Sequence, residues 1–126
     1  MSVTVQLNSV VQITDNLTGS IQLQKSVIGS YVGTVATEGQ NVLVTGSTSI
    51  SLPGSPTNFV YIKNLATATS VLTCTWTPNG GASNIVIALQ PSSFIILDEN
   101  NAGSGITALS VNPSVASTPI EYVLVA

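Results

Sequence analysis

The sequence contains no histidine and no arginine, and its only cations are Lys25 and Lys63. Histidine is the usual general base near neutral pH, so a Ser-His-Asp triad and a Cys-His pair are both excluded. Nucleic-acid binding needs several lysines or arginines on one face to neutralise phosphates, and this chain has too few. We therefore expect neither an enzyme of these types nor a nucleic-acid-binding protein.

Cysteine and long apolar runs are also scarce. The single cysteine, Cys74, cannot form an internal disulfide, and it alternates with Leu72 and Trp76, which predicts a buried free thiol beside a buried indole. The longest apolar runs have about five residues, far fewer than the roughly 20 that span a bilayer, so no membrane contact is expected. The stretch Met1–Thr4 lacks the basic and apolar regions of a secretion signal, which favours synthesis in a cytoplasm.

Charge of both signs is rare as well. Only 6% of the residues are charged and the net charge is −3, whereas roughly a quarter of the residues are charged in an ordinary soluble domain. Serine and threonine, 32 residues together, supply most of the polarity. A surface of hydroxyls and amides gives little repulsion between copies. The composition is compatible with a charge-poor secreted β-domain, but we favour a subunit built into a larger assembly.

β-branched residues are abundant: valine and isoleucine together number 27, which favours sheet. The central stretch from Asn58 to Asn101 consists of short apolar runs separated by turn residues. Its period is two residues, the period of a strand, and no helical periodicity occurs. The strands predicted there cover 59–65, 71–77, 85–89 and 94–97. We predict that they form an antiparallel meander.

The remaining sequence predicts further short strands. They cover 2–14, 21–25, 42–44, 49–52, 106–111 and 120–125. A phase change near Ser9–Val11 predicts a bulge or a break in the first strand, and the glycines between Val27 and Gly46 are expected to interrupt any strand there. No linker divides the chain. We therefore predict one domain, residues 1–126, with an all-β, jelly-roll-like antiparallel β-sandwich of about 8–10 short strands and no significant helix.

Several predicted strands, such as Phe59–Ile62 and Ile120–Val125, are apolar on both faces. An antiparallel sheet with one solvated face should instead alternate. Because no helix is predicted to cover the second face, long loops or a neighbouring subunit must cover it, and we favour a homo-oligomer of closed symmetry. The candidate interface residues are Phe59, Tyr61, Ile120 and Tyr122.

Candidate chemistry in the sequence is weak, and we predict no catalytic residue, no cofactor and no metal site. Asp98 and Glu99 are adjacent, so on a strand they point to opposite faces, which disfavours paired-carboxylate catalysis. The loop Asp98–Asn101 has oxygen donors suited to Ca²⁺ but lacks the spacing of a calcium loop, which favours a polar turn. Tyr31, between two glycines, is the candidate exposed aromatic; together with Tyr61 it keeps a glycan ligand open as an alternative.

Four features of the C-terminal half occur together in one order. They are the run Val60–Leu65, a Ser/Thr-rich hairpin through Trp76, a proline-introduced turn at Gln90–Ser93 before Phe94–Leu97, and the final strand Ile120–Leu124. This half of the chain resembles small β-sandwich structural proteins of tailed bacteriophages, many of which are jelly rolls.

The resemblance implies a non-enzymatic component of a virion, made in the host cytoplasm. The first expectation is a capsid decoration (cement) protein, a homo-oligomer with a trimer favoured, that docks on the major capsid protein or other virion subunits and stabilises the shell. The alternative is a carbohydrate-binding adhesin module of a phage tail or head appendage. The resemblance assigns no functional residue.

Overall fold

The computed structural model of the chain describes residues 2–81, 83–98 and 105–126, and within these ranges it contains ten β-strands and no helix that could span a membrane. The strands are β1 (Val3–Thr14), β2 (Ile21–Gly33), β3 (Ala36–Val44), β4 (Thr48–Ser49), β5 (Phe59–Asn64), β6 (Leu72–Pro78), β7 (Ile85–Leu89), β8 (Phe94–Asp98), β9 (Ile106–Pro113) and β10 (Thr118–Val125).

Strands β3 to β10 pair in a nested order. β3 pairs with β10, β4 with β9, β5 with β8 and β6 with β7, all antiparallel. The nested pairs roll up into two four-stranded sheets, with strand orders β3-β10-β5-β8 and β4-β9-β6-β7. This is the strand order of a jelly roll, a two-sheet all-β architecture. The prediction of a jelly-roll-like antiparallel sandwich is confirmed.

The prediction of a meander over residues 58–101 is wrong. β5 and β6 lie in opposite sheets, as do β7 and β8, so of these four strands only β6 and β7 pair with a sequence neighbour. A two-residue period identifies strands, but it does not say which strands pair. Because the chain crosses from one sheet to the other between β5 and β6 and back between β7 and β8, each sheet can bury one face against the other.

The core lies between the two sheets. Its largest fully buried apolar side chains are Ile62, Leu72, Ile106, Ile120, Leu124 and Val111. Leu72, Cys74 and Trp76 all point into it from β6, so the predictions of a buried indole and a buried free thiol are confirmed. Burial of apolar area, at about 25 cal/mol per Å², is the main stabilising contribution.

Asn64, at the end of β5, is a polar residue in this core, and it is fully buried. Its Nδ2 donates hydrogen bonds to the carbonyl oxygens of Ser70 at 2.8 Å and Leu89 at 3.0 Å, and its Oδ1 accepts from the Ala66 N–H at 3.0 Å. The amide therefore has both donor hydrogens and its oxygen satisfied. It ties the loop after β5 to the end of β7.

β1 and β2 form a separate two-stranded sheet, which we name the ribbon. Its register runs from Val3 opposite Gly33 to Ile13 opposite Leu23. The Asp15 carbonyl oxygen accepts from the Gly19 N–H in the closing turn, and the Asp15 carboxylate accepts from the Leu17 N–H at 2.7 Å. The Thr18 N–H also donates to this carboxylate, and the Leu17 and Thr18 donors lower the pKa of Asp15.

The glycines between residues 27 and 46 do not interrupt the strands as predicted. β2 continues for 13 residues through Gly29, and β3 continues through Gly39. The irregularity in the ribbon register lies between Ile13 and Thr14, not near Ser9–Val11. The pairing of β2 with β1 and of β3 with β10 outweighs the entropic cost of single glycines, which local composition cannot reveal.

Candidate functional site on the outer sheet face

The outer face is the face of the β3-β10-β5-β8 sheet that points away from the core. Alternation along β5 places Phe59, Tyr61 and Lys63 on this face. The register then forms three cross-strand rows: Val125, Phe59 and Asp98; Val123, Tyr61 and Ile96; and Glu121, Lys63 and Phe94. The face therefore changes from mainly apolar at one end to polar and charged at the other.

The base of the ribbon packs over the apolar end of the outer face. The ring of Tyr31 stacks on Phe59, with centroids 6.3 Å apart and planes 23° apart. Val3 and Val5 join this cluster against Val125. Phe59 is 4% exposed and Val125 is fully buried. The chain thus covers this part of the second face with its own ribbon.

The structure corrects the expected exposure of three residues. Ile120 is fully buried between the two sheets, because it shares its side of β10 with Leu124, and it cannot reach a partner while the domain is folded. Phe59 lies under the ribbon base. Tyr31 is 5% exposed instead of an exposed loop aromatic, because β2 continues through its flanking glycines and places the ring on Phe59.

Gly33 permits the close approach between the ribbon and β10. A Cβ atom at this position would lie 2.5 Å from Val125 Cγ1 and would also meet the Ala126 carbonyl oxygen. That oxygen accepts a hydrogen bond from the Thr34 N–H at 2.7 Å. A larger residue would therefore separate the ribbon base from the sheet.

Tyr61 and Glu121 form a polar pair at the margin of the ribbon base, where Tyr61 also packs against the cluster of Tyr31, Phe59 and Val125. The Tyr61 hydroxyl donates to Glu121 Oε1 at 2.6 Å, and its ring lies 6.2 Å from that of Phe94, tilted by 49°. The pKa of Tyr61 is raised to about 12, first by burial and then by the hydrogen bond to Glu121 and the negative charge there. The phenol therefore stays protonated near neutral pH, with its hydroxyl oriented toward the carboxylate.

A cleft of about 220 Å³ adjoins this pair and is lined by Glu38, Gly39, Gln40, Tyr61, Glu121, Tyr122 and Val123. The ring of Tyr122 packs close to Gly39, where a Cβ would lie 2.5 Å from the ring edge. The cleft offers carboxylate and amide oxygens next to an aromatic side chain. Of the four predicted interface residues, Tyr61 is half-buried on the outer face, whereas Tyr122 is half-buried and packs against the core cluster, on the side of β10 that carries Ile120 and Leu124. Their contact with a partner stays a prediction.

The other groups that the sequence analysis considered for chemistry are the Cys74 thiol and the polar loop that begins at Asp98. Burial raises the pKa of the Cys74 thiol to about 11, which disfavours the thiolate nucleophile. Asp98 is exposed at the end of β8, and the remainder of the predicted polar loop, residues 99–101, lies outside the described residues. Residues 2–81, 83–98 and 105–126 contain no group of three or more His, Cys, Asp or Glu that could hold a metal.

Sequence reasoning missed Glu121 as the partner of Tyr61. The two residues are 60 positions apart and are joined only by the pairing of β5 with β10, which the pattern along either strand does not contain. One sequence feature could have indicated that Tyr31 is buried. Val3, Val5 and Leu7 alternate with polar residues and so predict a strand with one apolar face, and Tyr31 lies opposite Val5 in the ribbon.

Comparisons with protein-family models, with curated proteins and with solved structures found no match. The jelly-roll strand order is shared by capsid, lectin and cupin domains alike, so it does not distinguish among their functions. Function has to be inferred from the residues and contacts of this chain.

Proposed function

We propose that the chain is a non-enzymatic structural subunit of a virus particle, a capsid decoration protein that self-associates and docks on the major capsid protein. The jelly-roll order supports a capsid-associated role without requiring it. The resemblance of the C-terminal half to small phage structural proteins supports the same role. The observation that carries the proposal is the balance of apolar and charged groups on the surface.

Exposed large apolar side chains outnumber the charged residues of the chain. The sequence has two lysines and five acidic residues. The exposed large apolar side chains in the described ranges are Val10, Ile13, Leu17, Ile21, Val32, Val35, Leu43, Ile85, Val86, Phe94 and Val115. Exposed apolar side chains gain free energy when another protein covers them, and the near absence of charge leaves little repulsion between copies.

The mechanism would be passive. Each docked copy adds buried area that must be exposed again before the shell can open. A standard interface buries about 1,600 Å², and the entropy lost on docking offsets much of the gain. Many symmetric copies would therefore be needed to stabilise a shell.

The direct test is to purify particles from cells that carry the gene and to quantify the chain by mass spectrometry. We expect a fixed ratio of this chain to the major capsid protein. Particles made without the gene should release their nucleic acid at a lower temperature, and purified chain should restore the parental temperature. Absence of the chain from the particles would overturn the proposal.

The Tyr61–Glu121 cleft favours a second candidate, glycan binding. A half-buried aromatic beside carboxylate and amide oxygens from Glu38, Gln40 and Glu121 can pack on a sugar ring and accept hydrogen bonds from its hydroxyls. Such a site would suit an adhesin module of a tail or head appendage.

A glycan array probed with the purified chain tests this second candidate. Glu121→Gln and Tyr61→Ala should each weaken binding by more than about tenfold, while Val86→Ala, on an exposed strand of the other sheet, should leave it unchanged. Absence of binding by the parent chain, or equal binding by all variants, would eliminate the candidate.

A further inference from the structure

The part of the ribbon beyond its base, residues 8–28, which we name the distal ribbon, exposes four large apolar side chains. Val10 and Ile13 are each 54% exposed, Ile21 is 55% exposed and Leu17 is 95% exposed. An isolated two-stranded sheet is at best marginally stable in water, and three or more strands with an apolar face are needed for independent stability. The distal ribbon lacks those additional strands among the described residues.

The outer edge of β1 is also unprotected. Within the described chain β1 pairs only with β2, so one edge of its backbone faces no strand. Soluble proteins usually protect such an edge with lysine, proline, a bulge or a short strand. β1 has 12 residues, VTVQLNSVVQIT, without a proline or a charge, and its register shifts only at its end, between Ile13 and Thr14.

These features together point to another strand as the occupant of the β1 edge, and the charges favour a second copy of this chain. The ribbon carries two charges, Asp15 in the turn and Lys25 in β2, and they have opposite signs. Copies can therefore approach without net repulsion between their ribbons. A chain with a strongly charged strand would instead lose hydration against an uncharged edge without gaining a partner charge.

Edge pairing would give the distal ribbon the strands that it lacks. The part of β1 beyond the base, from Asn8 to Thr14, is about 23 Å long, which exceeds the usual strand length of about 5–6 residues. Pairing along this length would produce a sheet of at least four strands.

We infer that the distal ribbon is the self-association element of this protein and pairs along its β1 edge with the ribbon of a second copy. The inference rests on the self-association in the proposed function. It assigns the contact between copies to the ribbon, whereas the sequence analysis had assigned that contact to Phe59, Tyr61, Ile120 and Tyr122. Pairing of β1 with β1 closes as a twofold dimer. Pairing of β1 with β2 of the next copy keeps the strands antiparallel and closes as a ring, such as a trimer.

Two matched double variants of the full chain test the inference. V10D/I13D places two carboxylates on the β1 edge strand. I85D/V86D removes the same two residue types from exposed positions of β7, which is the edge strand of its own sheet. We expect the parent and I85D/V86D to share one oligomeric mass by light scattering. V10D/I13D should raise the dissociation constant by more than about 100-fold, because its carboxylates would be buried without partners.

Folding of the variants is checked by the near-ultraviolet circular dichroism of Trp76, which reports on the sandwich core. Amide hydrogen exchange gives a second readout: the β1 amides should be protected in the oligomer and should exchange rapidly in V10D/I13D. A folded V10D/I13D protein with the parental mass would overturn the inference, and so would a parent that is monomeric.

Attachment to particles separates this inference from the proposed function. A parent that is monomeric yet attaches to particles overturns the inference and leaves the proposed function standing. If the chain forms an oligomer through its ribbon but is absent from particles, the inference stands and the proposed function is overturned. If V10D/I13D loses particle attachment while it keeps the parental oligomer, the occupant is another virion subunit, and the inference is wrong.

Discussion

Asn64 shows, at the scale of single residues, how one polar side chain can position two loops. Its buried amide bridges the Ser70 and Leu89 carbonyls and accepts from Ala66. A second buried polar contact joins the Ser70 and Thr118 hydroxyls, and the Thr118 hydroxyl also donates to the Val115 carbonyl at 2.6 Å. These bonds hold the loops that follow β5 and β9 against each other at one end of the sandwich.

Replacing Asn64 with alanine should lower the free energy of unfolding by about 3 kcal/mol, because three backbone groups would lose their partner in a buried site. Asn112→Ala is the matched control, since Asn112 is exposed on β9, and it should change the stability by less than about 0.5 kcal/mol. Urea denaturation followed by Trp76 fluorescence measures both. Equal stabilities of the two variants would show that the Asn64 bonds contribute no net stability.

Tyr61 gives a pH-dependent prediction. Its pKa is raised from 10.0 to about 12, so the folded state holds the phenol proton more tightly than the unfolded state does. The resulting stability is fully present below pH 10 and is lost as the pH rises from 10 toward 12. Glu121→Gln should lower the pKa of Tyr61 without returning it to 10, because burial, the largest cause, remains.

Ultraviolet titration of tyrosinate measures this pKa, and the difference between the parent and Tyr61→Phe isolates Tyr61 from the other two tyrosines. The same subtraction, made in the Glu121→Gln background, gives the shifted value. If Tyr61 titrates near 10 in the parent, neither the burial of its ring nor the hydrogen bond to Glu121 persists in solution.

The strands themselves were predictable from the sequence where turn residues bound an alternating run. β7 covers 85–89 as predicted, and β5, β6, β8, β9 and β10 begin and end within about two residues of their predicted limits. The β2 and β3 strands were predicted as fragments, because glycine lowers local strand preference, whereas the pairing of β2 with β1 and of β3 with β10 joins residues far apart in sequence. The meander predicted for residues 58–101 was wrong and the strand order of residues 1–57 was left open, because alternation fixes which face a residue occupies but not the partner strand.

The outer face was predictable only in part. Two-sided apolar runs in β5 and β10 did predict that the second face is covered. They did not predict that Val3, Val5 and Tyr31 of the same chain cover the end that carries Phe59 and Val125. That outcome depends on where the chain places its N-terminal ribbon, which no feature within β5 or β10 encodes.

Gly33 provides the element-scale prediction. Gly33→Val should separate the ribbon base from β10, because its side chain would overlap Val125 Cγ1 and the Ala126 carbonyl, at a cost of about 1–3 kcal/mol. Gly46→Val is the control, since no atom lies within 4 Å of a Cβ there. Amide exchange should become faster at the ribbon base in Gly33→Val alone. Unchanged protection would show that the ribbon does not dock on the outer face.

The whole molecule combines a rolled sandwich, whose core is complete within the chain, with a ribbon that this core stabilises only at its base. The sandwich buries Ile62, Leu72 and Leu124 between two sheets, whereas the distal ribbon exposes Val10 and Ile13. Opening of the ribbon should therefore be separable from unfolding of the sandwich. If the ribbon is the contact element between copies, assembly stabilises the part of the chain that the monomer stabilises least.

Cys74 makes this separation measurable. The thiol is fully buried in the sandwich core and its pKa is raised from 9.0 to about 11 by burial, so thiolate-specific reagents should label it only after the sandwich opens. Because the pKa of Cys74 is raised in the folded state, the contribution of the protonated thiol to stability is present below pH 9 and declines as the pH rises toward 11.

The rate of Cys74 labelling tests whether the ribbon and the sandwich open separately. At equal protein concentration and pH, V10D/I13D should be labelled as slowly as an Asn112→Ala control, and Asn64→Ala should be labelled about 100-fold faster. Rapid labelling of folded V10D/I13D monomers would show that the sandwich depends on the ribbon for its integrity, and that the two parts unfold as one unit.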